Sequence, residues 1–186
     1  MLLVKAGRVA EDRFVRVLDD APLPEGLPVI LPAARLLADA RELVLRQAPL
    51  GVIWPNDRRI AELVPYLDWI ALVALVFPTF RDGRAYSQAR LLRERYGFRG
   101  QLRATGQVLR DQLLFLQRAG FDAFEMTKEA DAAHFAEAIQ RYSVFYQPTG
   151  DGRLSALKAR QSQGTPGTQG AQRSSRTAGD RREAVR

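Results

Sequence analysis

Arg81, Asp82, Gly83 and Arg84 stand together where an apolar run, IALVALVF (Ile70–Phe77), turns abruptly basic, and Ser87 follows one helical turn later. Two guanidinium forks beside the free N–H groups of a helix start suit an oxyanion such as sulfite, sulfate, a phosphate or a cofactor carboxylate. A second group, Thr105, Gly106 and Arg110, follows another strand-like run. If the two runs are neighbours in a sheet, Arg81, Arg84, Thr105 and Arg110 face one small volume. The same residues also make sense without a ligand. Asp82 suits an N-cap, Gly83 a turn, and Thr105 with Gly106 a strand end and the next cap. Arginines off an apolar helix face are commonly solvated or paired, here with partners such as Glu94. Capping accounts for neither Arg81 nor Arg84, so these two carry the functional expectation.

Other chemistries have less to stand on. The chain has no cysteine, which excludes disulfides, thiolate metal sites and a cysteine nucleophile. Its single histidine, His134, has no second histidine to ligate with it, so no metal site is expected. Glu125 and Asp111 could act as acid or base, but nothing in the sequence fixes a partner for either. No G-x-G-x-x-G follows a strand and no Walker lysine appears; in GQLRATG the glycines flank a strand instead of cradling a phosphate. No cofactor is encoded by a recognisable motif, and its identity stays unknown.

The elements that must hold these residues alternate in period. Residues 34–46 carry Leu36, Leu37, Ala40, Leu43 and Val44 at helical spacing before Pro49. GVIW (residues 51–54) reads as a short strand, followed by a helix capped at Asn56 or Asp57 that carries Ile60, Leu63 and Val64. Ile70–Phe77 is apolar on both faces, as a central strand covered by helices on both sides would be. Two helices follow, residues 86–96 and 108–119, each closed by Gly-Phe (Gly97-Phe98 and Gly120-Phe121), and each leads into a strand, residues 101–105 and 122–126. A last helix is expected over residues 128–142. Strand–helix repeated about four times argues for an α/β fold with a mainly parallel sheet, either doubly wound or a partial βα-barrel. In both architectures ligands bind at the carboxyl ends of the strands, where the arginine turn lies.

At 186 residues with 46% apolar content, one domain is expected over residues 1–150. LLVKAG and RFVRVLDD, within residues 1–20, read as a small β-hairpin, followed by the Pro-rich connector APLPEGLP. Residues 151–186 turn to Gly, Ser, Thr, Gln and Arg and hold +5 of the net charge of +7, leaving the body nearly balanced. They read as a disordered basic tail. Without aromatic residues for base stacking, the tail gives little reason to expect nucleic acid as a partner. The N-terminus is too early charged for a secretory signal and no window is long enough to span a membrane, so a cytoplasmic protein is expected.

The block FPTFRDGRAYSQARLLRERYGFRGQLRATGQVLRDQLLFLQRAGFDAFEM (residues 77–126) closely resembles the signature of a bacterial family known as domain of unknown function 934, described as a predicted oxidoreductase involved in sulfite reduction. The similarity extends over residues 29–146 and leaves out the tail. It implies work beside the haemoprotein of an assimilatory nitrite/sulfite reductase, on the route from sulfate to sulfide and cysteine. It brings no catalytic residues with it. Since the chain shows no electron carrier of its own, three roles are expected to compete: an accessory component binding an oxyanion or the reductase, an oxidoreductase with a borrowed cofactor, and an interaction module without a small-molecule site.

Overall fold

The computed structural model describes residues 1–128 together with residues 130 and 160. Nearly all of the expected last helix, His134 with it, and nearly all of the basic tail lie outside the described residues. One eight-stranded sheet organises the rest. Its strands are β1 (Leu2–Lys5), β2 (Arg8–Ala10), β3 (Val15–Arg16), β4 (Val29–Pro32), β5 (Leu50–Trp54), β6 (Ile70–Phe77), β7 (Gln101–Gly106) and β8 (Ala123–Met126), in the spatial order β2-β1-β8-β7-β6-β5-β4-β3. From β3 to β8 the pairings are parallel, whereas β1 runs antiparallel to both β8 and β2. The sheet is therefore mixed, not mainly parallel as the repeat pattern suggests, because the N-terminal hairpin is built into it.

That hairpin is also shorter than expected. Ala6 and Gly7 both take positive φ, 47° and 74°, so the turn closes at once and Lys5 pairs with Arg8. The second run, RFVRV, is freed to form β3, which pairs with β4 at the opposite edge of the sheet. Only residues 11–14 join β2 to β3. Eight strands laid flat would separate the two edges by about 34 Å, whereas so short a connector reaches about 18 Å at most. The sheet must curl, and it forms a half-barrel with residues 11–14 strapped across its concave face.

Strand alternation divides the residues between two faces. Val52 and Trp54 of β5, Val73, Leu75 and Phe77 of β6, Leu102 and Ala104 of β7, and Phe124 and Met126 of β8 enter the main core on the convex face. The helices cover this face: α1 (Ala33–Leu43), α2 (Arg84–Arg90) and α3 (Leu113–Arg118) bury Leu36, Leu43, Ala85, Ala89, Leu113 and Leu116 there. The concave face holds Ile30, Leu72 and Ala74, packed under Phe14 of the strap and Ile53. The double apolar face of β6 is thus covered by helices on one side and by the strap on the other.

Local chemistry explains where the helices depart from expectation. Residues 60–66 form a 3₁₀ segment, Ile60–Tyr66, capped at Arg59 instead of at Asn56 or Asp57, and Pro65 inside it has no N–H with which to continue an α-helix. The helix after β7 begins as a 3₁₀ turn, Arg110–Gln112, before α3. Beyond α2 a π turn, Leu91–Arg95, sends the Tyr96 N–H to the Leu91 carbonyl at 3.0 Å. Arg93 in that turn donates to the carbonyls of Gly120 (3.0 Å), Phe98 (2.6 Å) and Gly100 (2.8 Å) and to Asp122 (2.5 Å), fastening the ends of two helices to the starts of two strands. Gly97 and Gly120 close their helices with positive φ, and Phe98 and Phe121 are buried behind them.

Candidate functional site

The turn after β6 is tied together from within. Asp82 accepts from the Arg84 backbone N–H at 3.2 Å and from its guanidinium at 3.0 Å (Nε) and 2.6 Å (Nη2), both side chains lying at the surface. The Arg84 guanidinium holds the Asp82 carboxyl well below the usual carboxylate range; desolvation works the other way, and the Asn56 side chain adds to the lowering. The same bond raises the pKa of Arg84. Gly83 is the N-cap residue, at φ −83° and ψ 0°. Arg81 lies over the Phe80 ring, 5.4 Å from its centroid, and has no carboxylate partner among the described residues. Ser87 is exposed and lines a shallow groove with Arg90, Leu91, Glu94 and Arg95.

Thr105 and Gly106 serve elsewhere. Gly106 has φ 94°, and a Cβ there would meet the Phe77 carbonyl oxygen at 2.4 Å, so only glycine lets β7 end against β6. Thr105 faces the concave side. Arg110 is exposed and 3.8 Å from Asp111. Of the residues singled out in sequence, Asp82 and Arg84 are in contact, while Thr105 is bonded into a different cluster.

That cluster lies on the concave face. Glu125 of β8, only 5% exposed, accepts from Thr105 Oγ1 at 2.5 Å, from Arg16 Nη2 at 2.5 Å to both oxygens, and from Arg103 Nη1 at 3.1 Å. Arg103, fully buried, also donates to both oxygens of Asp12, at 2.6 and 2.9 Å, and lies 5.9 Å from the Phe14 ring. Burial pushes the Asp12 carboxyl up, but hydrogen bonds from Arg103 and the Phe14 N–H, with the charges of Arg103 and Arg16, outweigh it and hold the carboxyl below its ordinary value. Two buried charges of opposite sign, each with a second partner on the strap side, form a closed network. Sequence reasoning found Thr105 and Glu125 but not Asp12, Arg16 or Arg103. A signal existed: Arg103 sits between Leu102 and Ala104, and Glu125 between Phe124 and Met126, so both point opposite to their apolar neighbours.

At the carboxyl ends of β6 and β7 the loops present apolar side chains to solvent. Phe80 and Leu109 are each 45% exposed and Phe115 is 64% exposed. The Phe80 backbone is held on both sides. Its N–H donates to Gln107 Oε1 at 3.3 Å, and its carbonyl accepts from Gln112 Nε2 at 2.8 Å. The Leu109 N–H donates to Gln112 Oε1 at 3.1 Å. Phe115, three residues beyond Gln112, shares its helical face.

The molecule is a curled half-barrel with an internally neutralised concave face and an apolar, arginine-flanked surface at its strand ends. Residues 51–157 match the family described as bacterial protein of unknown function (DUF934), over more than half of the chain, and the protein belongs to that family. No curated protein and no solved structure gives a match. Among the described residues no group of three or more histidine, aspartate or glutamate side chains gathers as a metal site, and no helix is long and apolar enough to cross a membrane.

Proposed function

We propose that the protein is an accessory component of assimilatory sulfite reduction that docks on a nitrite/sulfite reductase haemoprotein, in the route from sulfate to sulfide. The family resemblance supports the pathway. One observation supports docking over oxyanion capture: Phe80 is exposed yet pinned at both backbone groups by Gln107 and Gln112, with Arg81 laid on its ring. With its backbone already held, Phe80 has only side-chain rotamers left to order on binding, which favours it as an interface anchor. Arg84, by contrast, is already neutralised by Asp82, so an oxyanion would have to displace a carboxylate that costs nothing to keep there.

The test is a binding titration between the full-length protein and the purified haemoprotein, paired with growth of the parent bacterium on sulfate as sole sulfur source. Phe80→Asp should leave thermal unfolding unchanged, weaken binding by about 100-fold, as loss of a strong anchor does, and abolish growth on sulfate. Arg84→Ala should do neither. Unchanged binding and growth in Phe80→Asp would overturn the docking reading. Loss of growth in Arg84→Ala alone would return the site to an oxyanion at the Asp82–Arg84 turn. A coloured, nicotinamide-oxidising purified protein would replace both with an enzyme.

A further inference from the structure

A cavity of about 350 Å³ opens at the other end of the half-barrel, between the strap and the amino-terminal end of β7. Its walls include Lys5 at the end of β1, Glu11, Asp12 and Arg13 of the strap, and Gln101 and Arg103 of β7. Two polar atoms in this lining are buried and have no hydrogen-bond partner among the described residues: Gln101 Nε2 and Arg103 Nε. Both are donors. A buried donor left unpaired is costly, and most buried polar groups in folded proteins are hydrogen-bonded, so an acceptor bound here would answer both.

The charge of the lining points the same way. Lys5 and Arg13 are exposed at the rim and make no ion pair among the described residues. Of the two carboxylates present, Asp12 is spent on Arg103 in a bidentate pair, and Glu11 is exposed to solvent. Two unpaired donors are thus buried in residues of the cavity wall, and two cations at its mouth have no ion pair among the described residues. We propose that it binds a small anion whose carboxylate or oxyanion group accepts hydrogen bonds from Gln101 and Arg103 within and from Lys5 and Arg13 at the entrance. The site lies at the end of the parallel strands opposite the Phe80 surface, and its test does not depend on the docking reading.

The experiment follows backbone amide shifts of the full-length protein during separate titrations with sulfite, inorganic phosphate and acetate. At least one should shift the Phe14, Gln101 and Leu102 amides with a dissociation constant of about 1 mM, as for a small ion held by a few charged contacts. A tetrahedral, trigonal-pyramidal or planar preference among the three names the source. Lys5→Ala with Arg13→Ala alters only exposed side chains and should weaken binding about tenfold; Gln101→Leu should weaken it while leaving the unfolding midpoint within about 2 °C. Arg84→Ala should change nothing. Absence of shifts with all three anions, shifts centred on residues 79–84, or equal affinity in the Lys5/Arg13 variant would each overturn the site.

Discussion

Replacing Glu125 with glutamine keeps the side chain's shape and one acceptor but removes the charge on which Arg16, Arg103 and Thr105 converge. The new amide N–H₂ would face guanidinium and hydroxyl donors, so one contact becomes repulsive. Removing one partner from a buried ion pair costs about 3–5 kcal/mol. Here the lower end applies, because Arg103 keeps its two bonds to Asp12 and Arg16, partly exposed, can turn to water. With a urea m-value of about 2 kcal/mol/M, a cost of about 3 kcal/mol moves the midpoint down by roughly 1.5 M. Urea unfolding of the full-length protein, followed by the fluorescence of Trp54 and Trp69, measures it. The companion variant Arg103→Met with Glu125→Leu removes both buried charges, leaving Asp12 and Arg16 near solvent. It should cost less than Glu125→Gln alone, since apolar substitutes spare the desolvation that the ion pair carries. A Glu125→Gln midpoint within experimental error of the parent, or a double variant less stable than the single, would refute the view that the network is a closed, mutually dependent unit.

Two further outcomes rest on the same geometry. Asp12 has a folded-state pKa below its ordinary value, so the unfolded chain takes up its proton first as pH falls; the stability this contributes is present above the ordinary value and is lost as pH drops below it toward the folded pKa. Asp12→Asn should therefore flatten the fall in stability as pH drops below the ordinary carboxylate value of about 4, and equal slopes in parent and variant would contradict it. Arg93→Ala strips donors from the Phe98, Gly100 and Gly120 carbonyls and from Asp122 and should lower stability by about 2–4 kcal/mol. Arg93→Lys should recover little of it, since an ammonium cannot span a fork of four acceptors; full recovery would show that charge alone is what Arg93 supplies.

Much of the fold could be read from local pattern because its strands and helices are specified by neighbours in sequence. The alternation in residues 101–105 and the Gly-Phe closures at Gly97 and Gly120 each depend on a few adjacent residues, and each appears in the structure. The register of the N-terminus could not be read in this way. Whether RFVRV pairs with LLVKAG or with Val29 and Ile30 is decided by the two-residue turn at Ala6-Gly7, whose positive φ at an alanine is a cost that the completed sheet must repay. The concave face is hidden in the sequence for the same reason, since Asp12, Phe14 and Arg16 reach Arg103, the Leu72 cluster and Glu125 only when β3 lies at the far edge. Contacts such as Arg16–Glu125, separated by 109 residues, leave no periodic trace.

The same geometry argues for where function should be sought. A half-barrel whose concave face held free charges would be a natural site for substrate. In this chain each cation at the centre of that face is matched by a carboxylate on a facing strand or on the strap, and the strap itself packs Phe14 against Ile30, Leu72 and Ala74. Opening that centre would break the Arg103 bonds to Asp12 and Glu125 and lift Phe14 off its apolar neighbours together, which works against a weakly bound substrate. Among the described residues, Gln101 Nε2 and Arg103 Nε lie unpaired near Lys5 and Arg13 at one end, and Phe80, Arg81, Leu109 and Phe115 gather at the other. An internally paired middle is consistent with the two proposals made above, a small ion at one end and a docked partner at the other.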